Sequence, residues 1–205
     1  MNATILNKKE KFFDGLAANW HQENILTPRE QELLKSIIPN SGLSRGGILL
    51  DLGGGTGRLS EYLAALYPLS YLVIDLSHDM LRTGIGHCSH PALNRVQSDA
   101  HRLPLLDESV RFIFSFCSFP HFEGKEEVLR ECRRVLVPGG SLVILHSCSR
   151  EEINHFHSVH SPTISSDHLP PLESFQQWGK KLQWAPIRME NNPGIFLVHF
   201  LKPAV

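Results

Sequence analysis

Ile48-Leu49-Leu50-Asp51-Leu52-Gly53-Gly54-Gly55-Thr56-Gly57 is the stretch that decides the fold. Ile48–Leu52 is a short apolar run with one acid near its end, the pattern of a strand buried inside a parallel sheet. Four of the next five residues are glycine, and Arg58–Leu66 then carries helical spacing. A strand that passes through bare glycine into a helix opens a ligand crevice at the strand's carboxyl end. A dinucleotide site needs G-x-G-x-x-G, and counting from Gly53 puts Arg58 where the third glycine belongs. The glycines alternate instead, as Asp51-x-Gly53-x-Gly55-x-Gly57, and no Walker Lys-Ser/Thr pair follows. A plain tight turn between strand and helix needs fewer glycines than this.

Working towards the N-terminus, Phe12, Phe13, Leu16, Ala17 and Trp20 have helical spacing within Lys8–Trp20. Thr27-Pro28-Arg29-Glu30 reads as a helix start, with Thr27 as cap and Glu30 as its box partner, and that helix is expected to stop near residues 39–42. Towards the C-terminus, strands are expected over Tyr71–Leu76, Asn94–Ser98, Val110–Cys117 and Ser141–His146. Helices are expected around Asp79–Gly84 and Glu123–Leu136, and a turn at Val137-Pro138-Gly139-Gly140. Five alternations of strand and helix predict an α/β fold, a parallel sheet with right-handed crossovers and helices on both faces. Beyond it, Leu172–Lys181 reads as a helix. Gln183–Met189 and Ile195–Leu201 read as two strands joined across Asn191-Asn192-Pro193-Gly194, so an antiparallel strand should enter the sheet. The chain reads as one domain: a helical cap (1–45), a ligand-binding core (46–146), a His-rich lid or substrate segment (147–181) and a closing hairpin (182–205).

S-adenosyl-L-methionine (SAM) suits this loop. It has no phosphate but carries a sulfonium and an ammonium. A carboxylate at the strand end, Asp51, suits that cation directly or through water, and the bare backbone of Gly53, Gly55 and Gly57 lets the ligand lie against the loop. Asp75 ends the second strand, where an acid can accept both ribose hydroxyls, with Leu76 beside it; Ser77 is expected to cap the next helix and leave Asp75 available. Asp99 ends the third strand, placed to accept from an adenine amino group while the Ala100 amide donates to the ring.

Ile48–Gly57, Val73–Leu81, Ser98–Leu105 and Leu129–Gly140 resemble, in order, successive motifs of the class I SAM-dependent methyltransferases. The similarity is greatest to the small-molecule type related to ubiquinone/menaquinone-biosynthesis methyltransferases, and Phe12–Trp20 resembles that group's N-terminal helix. The resemblance covers about Phe12 to His146. It implies a Rossmann-like, doubly wound seven-stranded sheet of order 3-2-1-4-5-7-6 with strand 7 antiparallel. It also implies that Trp20 or its neighbours cover the cofactor, and that S-adenosyl-L-homocysteine (SAH) is the product. Past His146 the chain departs from the family pattern, so no substrate inference carries over from there.

The fourth strand delivers Ser115-Phe116-Cys117-Ser118-Phe119-Pro120-His121 to the crevice. Ser115 and Phe116 are expected to flank the methionine end of the cofactor, and His121 to face the methyl acceptor as first candidate for a base. Transfer from a sulfonium is an in-line displacement, so alignment supplies most of the acceleration; a base adds about 10²–10⁴-fold when the acceptor must lose a proton. Twelve histidines are many for this length, and five fall between His146 and His168. Asn154, His157 and His160 are three apart, which suggests one helical face. His157 is a second catalytic candidate. With Asp167 or His168, His157 and His160 offer a donor set for a metal ion. The same residues suit a polar substrate pocket or a solvated lid, and spacing leaves the three open.

A formal net charge of −1 gives no basic footprint for nucleic acid or an anionic membrane. The longest apolar runs fall short of a membrane span, and residues 1–14 do not read as a signal peptide. Cys88, Cys117, Cys132 and Cys148 form no CxxC pair, which fits a reducing cytoplasm. The expected partner is a small-molecule acceptor. The competing reading is a non-catalytic SAM- or metal-binding module on the same fold; composition leaves the acceptor and the oligomeric state open.

Overall fold

The computed structural model of the protein describes residues 3–38, 46–87 and 90–204, so the expected helix stop at 39–42 and Cys88 lie outside the described residues. The chain runs α1 (Ala3–Glu23), α2 (Pro28–Ile37), β1 (Ile48–Leu52), α3 (Arg58–Ala64), β2 (Ser70–Asp75), α4 (His78–His87), β3 (Leu93–Gln97), β4 (Val110–Phe116), α5 (Lys125–Val135), β5 (Leu136–His146), α6 (Arg150–His160), α7 (Leu172–Lys181), β6 (Ala185–Asn192) and β7 (Ile195–Leu201). The sheet has seven strands in the order β3-β2-β1-β4-β5-β7-β6, with β7 antiparallel to both neighbours, as the resemblance implies. The pairings β1–β2, β1–β4, β2–β3 and β4–β5 are parallel.

Strand alternation sorts the core into two layers. Leu50, Leu52, Ile113 and Ile144 face α5 and α7, which bring Val128, Leu129, Cys132 and Phe175. Leu49, Phe112, Phe114 and Val143 face α2 and α3, which bring Leu34, Ile37, Leu59 and Leu63. Each fully buried side chain of this size contributes about 1.5–3 kcal/mol, so both layers are needed to hold the strand ends still. The capping box at Thr27 and Glu30 is formed: the Thr27 hydroxyl accepts from Glu30 N at 3.2 Å, and Glu30 accepts from Thr27 N at 2.9 Å. An equivalent box at Ser149 and Glu152 starts α6 inside the His-rich lid or substrate segment.

Two local expectations need correction. Val137-Pro138-Gly139-Gly140 is not a free turn but part of β5, which bulges between the Val110–Leu136 and Phe112–Ser141 pairs. Gly139 takes a φ of 74°, and its amide donates to Lys202 O at 2.8 Å while Lys202 N donates to Gly140 O at 2.9 Å, so the chain's end straps the bulge. The helix face expected to carry Asn154, His157 and His160 together is not one face. Steps of three residues drift about 60° each round a helix, and only Asn154 and His157 reach the core side.

α1 lies across the sheet's carboxyl edge and packs on α4. Its Asp14 accepts from Ser77 Oγ at 2.5 Å and from Asp79 N at 3.1 Å, capping α4 from another helix. α4 in turn rests on the glycine loop through Gly84, where a Cβ would lie 2.3 Å from the Thr56 carbonyl oxygen. Gly84→Ala should therefore cost about 1–3 kcal/mol by overpacking. Gly15→Ala, in α1 with nothing within 4 Å of the added carbon, should stabilise by about 0.5–1 kcal/mol through helix propensity. Urea melts of the two variants check the pair; equal effects of one sign would contradict the packing described.

Candidate functional site

The loop after β1 is built on backbone that other residues avoid. Gly53, Gly55 and Gly57 have φ values of 70°, 56° and 85°, in the left-handed region that favours glycine. Gly54 has another reason: a Cβ there would fall 2.6 Å from Asp51 Cγ and 2.8 Å from Val73 Cγ1. The alternating pattern passed over Gly54 because close approach, unlike a turn, leaves no mark in spacing. Gly53 N and Gly54 N donate to Ile74 O at 2.8 and 3.2 Å, which locks the loop to β2.

Asp75, at the end of β2, is the acid the loop closes on. Its Oδ2 accepts from Gly55 N and its Oδ1 from Ser77 N, both at 2.8 Å. Ser77 Oγ caps α4 by accepting from Met80 N at 3.1 Å, as expected. A carboxylate has about four acceptor positions, so these amides do not exhaust it. Burial pushes the Asp75 carboxyl up, opposed by those amides and by His121.

Asp51 lies elsewhere than expected. It is 1% exposed, beneath Gly54 rather than in the cleft, and accepts from Ser60 Oγ at 2.8 Å. The end of the cleft assigned to it is lined instead by Arg58, whose guanidinium sits 4.9 Å over the Phe116 ring and donates to Asn24 O at 3.0 Å. Arg58 was legible only as the residue that fails to be a third glycine.

The cleft spans about 750 Å³, counting the space open to solvent, with Gly53, Gly54, Gly55 and Asp75 as floor and Trp20, Met80 and Phe116 among its walls. Leu76 lines it too. A pocket of about 370 Å³ adjoins it, lined by Asp99 and Ala100 and sharing Asp75, Leu76, His121 and Phe122 with the cleft. Asp99 Oδ1 accepts from His101 N at 3.0 Å and lies 2.5 Å from His101 Nδ1. Gly57 caps α3 and stays outside the lining. Ser115 does not reach the cleft. It faces the other side of the sheet from Phe116 and pairs with Ser118 Oγ at 2.8 Å. The left-handed Cys117, φ 55°, turns the chain so that Ser118 lines the cleft.

His121 borders both cavities. Its Nδ1 lies 2.7 Å from Asp167 Oδ2, and its ring stands 4.8 Å from that of His157. His157 is buried and donates from Nδ1 to the Asp167 carbonyl at 2.6 Å. His160 turns away and stacks on Phe156 with centroids 3.7 Å apart. The metal set of His157, His160 and Asp167 is thus not assembled, and among the described residues no group of three or more His, Cys, Asp or Glu side chains is arranged to hold a metal ion. Lys9, absent from the expected site, is 5% exposed and pairs with Asp167 and Glu123, each at 2.7 Å. Its lone place on an otherwise apolar helix face was the one signal available.

Residues 50–144 match the family described as "Methyltransferase domain". The chain is 43% identical over 96 residues to the malonyl-[acyl-carrier protein] O-methyltransferase of Methylococcus capsulatus, covering 46% of this chain and 35% of that protein. It is 32% identical over 143 residues to the ubiquinone/menaquinone biosynthesis C-methyltransferase of Hahella chejuensis, covering 66% of this chain and 57% of that one. The chain thus spans less than two thirds of either relative. A putative S-adenosyl-L-methionine-dependent methyltransferase from Methanococcus maripaludis has the same fold, with a TM-score of 0.73, 21% identity, and coverage of 96% of this chain and 94% of that one.

Burial pushes the Asp51 carboxyl up to about 6, against the pull of its Ser60 hydrogen bond; an unfolded chain releases that proton near pH ~3.9. Between about pH 4 and 6 the folded state therefore holds a proton the unfolded state has lost, and stability from this group falls as pH rises through that window, then levels off. Asp51→Asn keeps an acceptor for Ser60 and removes the effect. Its melting temperature relative to the parent should climb between about pH 4 and 7; a constant difference would show that the ionised Asp51 is compensated.

Proposed function

This chain belongs to the class I SAM-dependent methyltransferases, and on that premise we propose that it moves the methyl group of SAM to a small-molecule acceptor by in-line displacement. One observation carries the reading: the cleft over the bare glycine floor adjoins the Asp99–Ala100 pocket, and Gly53, Asp75 and Leu76 line both. An adenosine spans such a pair, with its base at Asp99 and Ala100, its ribose on Asp75 and Leu76, and its sulfonium towards Phe116 and His121. Trp20 covers it from α1. Arg58, at the far end of the cleft, suits the methionine carboxylate as a charge-assisted donor, and Asp51 acts from beneath by holding the loop's shape.

The largely apolar walls support a small, partly apolar acceptor over a polymer. No helix among the described residues is long and apolar enough to cross a membrane, and Cys117, Cys132 and Cys148 are free thiols; together with the cysteine usage this supports a reducing, cytoplasmic setting.

Calorimetric titration with SAM, SAH and NAD tests the cofactor reading. SAM and SAH should bind and NAD should not; binding of NAD without response to SAM would move the chain to another class. Asp75→Ala should weaken SAM binding by about 1–3 kcal/mol through lost charge-assisted hydrogen bonds. Unchanged affinity would mean that the ribose lies elsewhere.

A further inference from the structure

We propose that Asp167 sets His121 as the general base of the transfer, so that the acceptor is a weakly acidic hydroxyl, a phenol or enol, on a largely apolar small molecule. The proposal rests on the methyltransferase reading above and adds the acceptor class and the residues that position the base.

Asp167 is 2% exposed. One oxygen lies 2.7 Å from His121 Nδ1 and the other 2.7 Å from Lys9 Nζ. Burial alone would push this carboxyl up, but His121 and Lys9 outweigh it and hold it below the usual carboxylate range. An ionised carboxylate only accepts hydrogen bonds, so Nδ1 carries a proton, and Nε2 is the nitrogen left to take the acceptor's proton when the ring is neutral. Asp167 occupies the Nδ1 edge, and the ring lines the cleft, so Nε2 is the edge presented to a ligand.

The surroundings fix this arrangement from several sides. Lys9 donates to His121 O at 2.7 Å, and Lys125 donates to Pro120 O at 3.0 Å and Phe122 O at 2.8 Å, so two cations clamp three consecutive carbonyls. Phe13 packs edge-on against the imidazole with centroids 5.0 Å apart. On the other side, His157 holds the Asp167 carbonyl, and Asn154 grips the Leu169 backbone twice, donating to its O at 3.1 Å and accepting from its N at 2.7 Å. The Asn154, His157 and Asp167 pattern thus builds a positioning device in place of a metal site. The titratable groups around His121 are Lys9 on α1, Asp75 on β2, Glu123 just before α5, Lys125 at its start, His146 on β5, His157 on α6 and Asp167. Burial pulls His146 down to about 3 and lowers His157, so both stay neutral near pH 7.

The step balances as follows. A lone pair of the acceptor oxygen forms the O–C bond as the C–S bond breaks, and the sulfonium leaves as the neutral thioether SAH. The hydroxyl proton passes to His121 Nε2 and then to water. A carboxylate acceptor is already ionised at neutral pH and a thiol ionises near ~8.5, whereas a phenol holds its proton to about pH 10 and gains most from a fixed base. Asp167, Lys9, His157 and Asn154 act through His121 and are positioning residues.

The tautomer of His121 is read by long-range ¹H–¹⁵N NMR on the SAH complex at pH 8. The parent should show Nδ1 protonated and Nε2 bare, and Asp167→Asn should reverse or mix the two while SAH affinity stays within about threefold, as expected when only the imidazole's orienter is changed. In parallel, 4-methoxyphenol, thiophenol and benzoate are offered with SAM. His121→Gln should slow methylation of the phenol by about 10²-fold or more, and slow the phenol more than the thiol. A protonated Nε2 in the parent, or methylation of the phenol at the same rate in His121→Gln, overturns the proposal. Should Asp167→Asn fail to fold, the parent spectrum alone decides the tautomer. Absence of SAH binding to the parent strikes the cofactor reading instead, so the two failures are distinguishable.

Discussion

The amide of Gly55 donating to the Asp75 carboxylate is the contact on which the site depends. It ties the loop after β1 to the end of β2, two strands whose separation the sheet already fixes. The loop reaches that carboxylate only because its backbone enters left-handed regions at three glycines and passes over Asp51 at a fourth. The result is a floor without side chains beside a buried acid. That combination suits a cationic nucleoside that carries no phosphate, and the remaining features arrange themselves round it.

The second level of organisation is the N-terminal cap helix. α1 is joined to the core by polar contacts at both ends of the cleft. Asp14 caps α4, and Lys9 sits between Asp167 and Glu123. Removing one partner of a buried pair costs far more than the pair is worth over an apolar replacement. Lys9 is therefore better understood as fixing where α1 lies than as adding net stability. Trp20 and Phe13 reach the cleft because of that placement.

The fold was legible where local rules act alone. Glycine spacing, alternating strand and helix, and the Thr27–Glu30 box each appear in the structure at the residues that carry them. The hairpin was legible from its turn, and the strand order from family resemblance. The site was legible in part. Trp20, Gly53, Gly55, Asp75, Leu76, Asp99, Ala100, Phe116 and His121 all line the two cavities. What escaped depended on backbone direction or on distant partners. Ser115 yields to Ser118 because Cys117 adopts a left-handed φ that nothing in its type demands. Asp51 drops below the loop because Ser60, in the first turn of α3, donates a hydrogen bond to it there. Asp167 meets His121 across 46 residues of chain, and no local pattern encodes that meeting; spacing alone made the same histidines and acid look like a metal set.

A structure of the protein with S-adenosyl-L-homocysteine bound addresses the central claim most directly. The account predicts the ribose hydroxyls on the Asp75 carboxylate, the adenine between Asp99 and Phe122, and the sulfur opening towards His121. A nucleoside seated away from the glycine floor, or a cleft that stays closed by native side chains at saturating ligand, would contradict it.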